Sequence, residues 1–75
     1  MVKRIRLKSK GDVEKINKVA SKQPYDVHVS SGHLILNAKS LLALFALIGK
    51  AEVFLVAPDH LGIAKFNELI KEIGL

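Results

Sequence analysis

Hydrophobic and charged residues alternate at the start of the chain. Ile5 and Leu7 are apolar, while Arg4 and Arg6 occupy the intervening positions. Because successive side chains of a strand point to opposite faces of a sheet, this pattern predicts a half-buried β-strand over residues 2–8.

A helical spacing of apolar residues follows a short polar break. Val13, Ile16 and Ala20 recur every three or four residues, which is typical of one buried helix face. Asp12 is a candidate N-cap, because its carboxylate can accept the free N–H groups of a first helical turn. Because Pro24 cannot continue a helix, we expect this helix to end before Gln23.

The centre of the chain has the pattern of a β-hairpin. Polar residues alternate with valines in one segment, Ser31-Gly32 predicts a tight turn, and an apolar strand then returns. Ile35 is expected on the face opposite the core. The expected inward-facing residues are Val27, Val29, Leu34 and Leu36.

The remaining residues predict a helix, a strand and a final helix. Ser40 is a second candidate N-cap, with a hydroxyl expected to accept the N–H of Ala43 or of its neighbour, and Gly49 closes the apolar helix at residues 41–48. An alternating strand over residues 52–57 follows, and Asp59 is expected to cap the last helix. The expected buried stripe of that helix is Ile63, Phe66, Ile70 and Ile73.

The order β-α-β-β-α-β-α predicts a single α+β domain over residues 1–75. We expect an open-faced β-sandwich, in which three helices cover one face of a four-stranded antiparallel sheet. The chain has no cysteine, which excludes disulfides and thiolate metal sites. The apolar run is far shorter than the about 20 residues that span a bilayer, so we expect no membrane segment and a cytoplasmic location.

The positive charge is concentrated in the N-terminal part of the chain. The net charge is +5, and residues 1–22 contain eight Lys or Arg but only two acidic residues. Such a cluster can attract phosphates, acidic proteins or nucleic acid, although charged runs on small domains usually face water. The candidate basic patch consists of Arg4, Arg6, Lys8, Lys10 and Lys15.

Nucleic-acid binding through this basic patch is the alternative function. Base recognition on a sheet uses aromatic side chains for stacking, and only Tyr25 and Phe54 belong to the predicted strand regions. No recognition-helix motif is evident either. We therefore expect nucleic acid to be a less favoured partner than protein.

The sequence contains no pattern typical of a catalytic or metal centre. A Ser-His-Asp arrangement, a paired carboxylate motif and a glycine-rich phosphate loop are all missing. His28 and His33 flank one hairpin turn, but two imidazoles without a carboxylate or thiolate make a poor zinc site. We expect no enzyme activity, no cofactor and no metal.

The segment Asn37-Ala38-Lys39-Ser40-Leu41-Leu42 resembles HPr, the small phosphocarrier of the sugar phosphotransferase system. HPr proteins have a Lys-Ser pair before a short middle helix, followed by a glycine and a strand similar to residues 51–57. The resemblance covers nearly the whole chain. It implies that Ser40 is a candidate site of regulatory phosphorylation. It also implies a docking surface formed by Lys39, Leu41, Leu42 and Phe45.

The connection before the first helix departs from the HPr pattern. HPr proteins have a Gly-x-His-x-Arg-Pro segment there, whereas this chain has Ser9-Lys10-Gly11-Asp12-Val13. No histidine is available to hold a phosphoryl group, and Asp12 adds a negative charge. We therefore expect an HPr-like regulatory or adaptor protein that cannot carry phosphohistidine. The resemblance implies partners among phosphotransferase-system or transcription-regulatory proteins.

The sheet face opposite the helices is predicted to be partly apolar. Ile35, Phe54 and Val56 should lie there, close to Arg4, Arg6 and His28. An uncovered face is usually polar, so these residues are a candidate homodimer surface. An amphipathic open face without any partner is the other interpretation.

Overall fold

Four short strands form one antiparallel sheet in the computed structural model, which describes all residues from Met1 to Leu75. Their order across the sheet is β1-β4-β2-β3, so β1 and β3 are the edge strands. This sheet confirms the predicted α+β fold class. The strands are β1 (Val2–Ile5), β2 (His28–Ser31), β3 (Leu34–Asn37) and β4 (Val53–Val56).

Three α-helices complete the predicted order of elements. Two of them are long, α1 at Lys10–Ser21 and α3 at Ile63–Ile73, and both are strongly amphipathic. The middle helix, α2, is a single turn at Leu41–Leu44. Short 3₁₀ turns at Phe45–Leu47 and Asp59–Leu61 follow α2 and β4, respectively.

The core lies between the helices and one face of the sheet, and every buried residue is apolar. Val53 and Leu55 of β4 are fully buried, whereas Phe54 and Val56 on the other face are only half-buried. The alternation predicted for this strand is thus confirmed. Burial of Val27 and Val29 confirms the inward face predicted for the hairpin's first strand.

The first helix begins three residues earlier than expected, so the assignment of Asp12 as its N-cap was wrong. Ser9 is the N-cap, with extended backbone angles, and its carbonyl accepts the N–H groups of Asp12 and Val13 at 3.1 and 3.4 Å. Asp12 lies within the first turn, where its Oδ2 accepts the backbone N–H of Lys8 at 2.9 Å. A carboxylate in the first turn is also favoured by the helix dipole.

The apolar run after Ser40 is not one continuous helix. The α-helical turn changes to 3₁₀ geometry at Phe45, and Gly49 then adopts a left-handed conformation with φ of 83°. The N–H of Gly49 donates to the carbonyl of Leu7 at 2.9 Å, which anchors this segment to the residues that follow β1. The predicted closure at Gly49 is confirmed, but the predicted helix length was wrong.

The turn before α2 is held by Asn37 rather than by Ser40. The Asn37 Oδ1 accepts the N–H of Lys39, and its carbonyl accepts the N–H of Ser40, both at 2.9 Å. Ser40 is the N-cap residue by position, but its side chain makes no capping hydrogen bond. The expected capping bond from the N–H of Ala43 or its neighbour was therefore wrong.

Asp59 does not cap the last helix, which was a wrong prediction. It begins the preceding 3₁₀ turn, and its carboxylate accepts a hydrogen bond from the N-terminal ammonium group of Met1 at 2.7 Å. This hydrogen bond and the positive charge lower the pKa of Asp59. The helix itself starts after Gly62, which has a positive φ of 86°.

The buried stripe of α3 is shifted from the predicted one. Ile63 is 64% exposed, because it lies at the first position of the helix. Leu69 is buried instead, and Ile70 is half-buried at the margin of the core. The residues that α3 buries are Phe66, Leu69 and Ile73.

The β2–β3 hairpin turns at Gly32 and His33, one residue later than expected. Gly32 has a φ of 58° and His33 does not have a positive φ, which is typical of a type II′ turn. Leu34 points to the helix side as expected, but it is 44% exposed because β3 is at the edge of the sheet.

Candidate docking site on the middle helix

The apolar residues of α2 and its 3₁₀ extension divide between core and surface. Leu44 and Leu47 are fully buried, whereas Leu42 is 82% exposed, the most exposed large apolar side chain of the protein. Leu41 and Phe45 are half-buried and pack against the core. Phe45 follows Leu41 by four residues and Leu42 by three, so it is a neighbour of both on the helical surface.

A lysine from α1 borders this apolar surface. The Nζ of Lys10 lies over the ring of Phe45, 6.0 Å from its centroid, at the limit of a cation–π contact. The contact joins the start of α1 to the end of α2. We call Lys10, Leu41, Leu42 and Phe45 the docking patch. The sequence analysis placed Lys10 in the basic patch and missed this pairing, because no local pattern relates residues so far apart in the chain.

Lys39 has a surface partner of its own within the chain. Its Nζ lies 3.5 Å from Oδ1 of Asp26, and both side chains are partly exposed. The turn that contains Lys39 is also tied to α1, because Nδ2 of Asn17 donates to the carbonyl of Ala38 at 3.1 Å. An exposed ion pair of this kind contributes little to stability, about 0–1 kcal/mol, so a partner can replace it at low cost.

Ser40 is exposed, and its hydroxyl forms no hydrogen bond within the protein. Only its backbone bonds within the turn, and its carbonyl accepts the N–H of Leu44 at 3.3 Å. The hydroxyl next to Leu41 is therefore free to take part in an intermolecular contact or to be modified.

None of the three histidines belongs to the connection before α1. His28 is the first residue of β2, His33 is in the hairpin turn, and His60 is in the 3₁₀ turn after β4. None of them makes a side-chain hydrogen bond or an ion pair. The first turn of α1 contains the Asp12 carboxylate instead.

The residues of the predicted basic patch do not share one surface. Arg4 pairs with Phe54 across β1 and β4, and therefore lies on the open face of the sheet. Arg6 and Lys8 line a shallow depression of about 360 Å³ beside Gly49. Lys10 and Lys15 both belong to α1, on the other side of the sheet from Arg4, and Lys10 contacts Phe45.

The open face of the sheet combines apolar and basic side chains. Strand register places Phe54, Ser30 and Ile35 in one row across the open face, with Ser30 between the two apolar residues. Val56 lies next to His28, as expected, and next to Val2, which the sequence analysis did not single out. The two most exposed apolar side chains here are those of Ile35, at 71%, and Val2, at 62%.

A second depression lies between the end of α1 and α3. It has a volume of about 370 Å³ and is lined by polar and charged residues that include His60 and Glu68. Burial and the charge of Glu72 raise the pKa of Tyr25 at its margin. No group of three or more His, Cys, Asp or Glu side chains is positioned to hold a metal ion. None of the helices has the length and apolar character that crossing a membrane requires.

Comparison with known proteins gave no match. No family model, no curated protein and no solved structure shows significant similarity to the chain.

Proposed function

We propose that this protein is an HPr-like adaptor that binds protein partners through the docking patch and does not carry phosphohistidine. Three observations support the proposal: the resemblance around Lys39-Ser40, the order of secondary-structure elements, and the exposed apolar surface of α2. The dispersal of the basic residues over different surfaces favours this function over nucleic-acid binding.

The exposure of Leu42 is the observation that carries the proposal. A leucine that is 82% exposed contributes almost nothing to the core, so the fold itself does not need an apolar side chain there. Removing such a side chain from water is worth about 1.5–3 kcal/mol, which a partner can gain on binding. The half-buried side chains of Leu41 and Phe45 would enlarge the apolar contact.

The charge around the patch indicates the chemistry of the partner surface. Lys10 borders the patch on the α1 side, and no acidic residue belongs to α2 or its 3₁₀ extension. A partner with an apolar centre and acidic residues at its rim would match this arrangement, because rim charges steer association and select orientation.

The start of α1 supports the absence of phosphocarrier activity. A phosphoryl group on an imidazole would need a histidine near the free N–H groups of the first turn. The Asp12 carboxylate occupies that turn, and it would repel a phosphate. Serine hydroxyls such as that of Ser9 form stable phosphate esters, which are unsuited to rapid onward transfer.

A titration maps the proposed contact. The isotope-labelled chain is titrated with the general phosphotransferase enzyme and, separately, with a transcription regulator that binds HPr, while amide chemical shifts are recorded. We expect at least one of them to shift resonances of Leu41, Leu42 and Phe45 and of the first turn of α1. No shifts with either protein, or shifts confined to the open sheet face, would contradict the proposal.

A phosphotransfer assay tests the second half of the proposal. The chain is incubated with the general phosphotransferase enzyme and phosphoenolpyruvate, with an authentic HPr as positive control. We expect no acid-labile phosphate on the chain under conditions in which the control is fully labelled. Detection of phosphohistidine at His28, His33 or His60 would overturn the proposal that this protein is not a phosphocarrier.

Ser40, which directly precedes Leu41 of the docking patch, is proposed as a regulatory position. Phosphorylation adds about two negative charges beside the apolar surface. These charges would repel an acidic partner and lower the affinity of the docking patch for it. Incubation with an HPr serine kinase should raise the intact mass by one phosphate group, and the Ser40→Ala variant should not gain it. An unchanged mass of the native chain, or labelling that persists in Ser40→Ala, would exclude this role.

A further inference from the structure

The two edge strands of the sheet differ in how they are protected against pairing with another strand. The strand β1 includes Lys3 and Arg4, and charged residues on an edge discourage association. The sequence of β3 is Leu34-Ile35-Leu36-Asn37, with neither charge nor proline. An exposed and uncharged edge strand is a ready template for intermolecular pairing.

The hairpin geometry fixes which backbone groups of β3 face outward. The turn at Gly32 and His33 makes Ser31 and Leu34 a hydrogen-bonded pair, because two-residue turns close on such a pair. Bonded and non-bonded pairs alternate in an antiparallel ladder, so Ser30 and Ile35 form a non-bonded pair. The N–H and C=O of Ile35 therefore point away from β2, and no loop or side-chain hydrogen bond uses them.

We infer that β3 pairs with β3 of a second copy of this protein in an antiparallel dimer centred on Ile35. Around a two-fold axis at this residue, the outward N–H and C=O of Ile35 bond to the same groups of Ile35 in the second copy. The pairing is self-complementary, as a symmetric dimer requires. It joins two four-stranded sheets into one continuous sheet of eight strands.

The exposed side chains of β3 match this register on both faces. On the open face, Ile35, which is 71% exposed, meets Ile35 of the second copy. On the helix side, Leu34, which is 44% exposed, meets the half-buried Leu36 of the second copy. Directly opposed side chains in an antiparallel pair approach to about 4.5–5.5 Å, close enough for these apolar groups to pack.

The charge distribution permits this dimer although each chain has a net charge of +5. The basic strand β1 is the edge farthest from the axis in each copy. With strands about 4.8 Å apart, the two β1 strands of an eight-stranded sheet are about 34 Å from each other. This separation exceeds the Debye length of about 8 Å at physiological ionic strength, so their repulsion is screened.

The dimer is expected to be weak and dependent on concentration. An edge of four residues buries less than the about 1,600 Å² of a standard protein–protein interface. The inference is independent of the proposed function, because β3 and the docking patch are different surfaces.

Sedimentation velocity over a range from low micromolar to millimolar protein tests the inference, together with Ile35→Lys and the matched control Val2→Lys. Both residues are β-branched, exposed, on the open face and in an edge strand, and both variants add one charge. We expect the native chain and Val2→Lys to shift to dimer at high concentration and Ile35→Lys to remain monomeric. A monomeric native chain at millimolar concentration, or an equal loss of dimer in both variants, would overturn the inference.

Amide hydrogen exchange of Ile35 separates edge pairing from a face-to-face dimer through Phe54 and Val56. Edge pairing should slow exchange of the Ile35 amide as protein concentration rises, because this N–H becomes hydrogen-bonded. A dimer that forms without concentration-dependent protection of Ile35 would contradict the β3–β3 arrangement.

Discussion

Replacing Leu55 with alanine is expected to lower the free energy of unfolding by about 2–5 kcal/mol. Leu55 is fully buried in β4, and it lies between Lys3 of β1 and Val29 of β2 in the centre of the sheet. The smaller side chain loses transfer free energy and leaves a cavity that the surrounding strands cannot close.

The effect should be large relative to the total stability of the protein. Domains are stable by roughly 0.05–0.15 kcal/mol per residue, which for this chain corresponds to about 4–11 kcal/mol. With no disulfide and no buried polar side chain, apolar packing and backbone hydrogen bonds hold the sheet and helices together. Leu55→Ala is therefore expected to remove a large part of the stability margin.

Urea unfolding followed by circular dichroism measures this change, with Leu42→Ala as the matched control. Leu42 is 82% exposed, so the same substitution there should change the free energy of unfolding by less than about 0.5 kcal/mol. Equal destabilisation by both variants would contradict the division of the leucines into core and surface.

The same Leu42→Ala variant is expected to weaken binding of the partner identified by titration by about 10- to 100-fold. Burial of a leucine side chain contributes about 1.5–3 kcal/mol, and each 1.4 kcal/mol corresponds to a factor of ten in Kd. Because stability should be unaffected, the loss of affinity would report the lost apolar contact and not a loss of folded protein.

Isothermal titration calorimetry provides the measurement, with Val2→Ala as the control. Val2 is also exposed and apolar, but it lies on the open face of the sheet, on the other side from α2. We expect Val2→Ala to bind as the native chain does. If both variants lost affinity equally, or if Leu42→Ala bound normally, the docking patch would not be the contact surface.

The short middle segment contributes both to the core and to the exposed surface. Leu44 and Leu47 attach it to the core, and Leu42 projects from the opposite side. The change from α-helical to 3₁₀ geometry at Phe45 turns the segment toward Gly49, whose N–H is bound to Leu7. The exposed side chains are thus presented on a firmly anchored element.

Residue periodicity was sufficient to predict the sheet and its covered face. Val53 and Leu55 alternate with Phe54 and Val56, and the structure buries the first pair and leaves the second pair on the open face. The same reasoning predicted the buried face of α1. These predictions succeed because the period of a strand or helix is a local property, and burial of apolar side chains dominates the free energy of folding.

Capping interactions were predicted less well, because a polar side chain near a helix start has several possible partners. Asp12 and Asp59 were both expected to bind helical N–H groups. In the structure they bind the backbone of Lys8 and the N-terminal ammonium group instead. Such choices depend on which donors the folded chain brings within reach, and they differ little in energy.

The pattern of residues along the chain was enough to predict the α+β architecture and the buried and open faces of the sheet, and it showed that no histidine precedes α1. The packed fold was needed to show that Lys10 lies over Phe45, that Leu42 projects while its neighbours are covered, and that Ile35 directs free backbone groups outward from an edge. Periodicity specifies one face of one element, whereas contacts between distant residues depend on how whole elements pack and which strand is left at the edge.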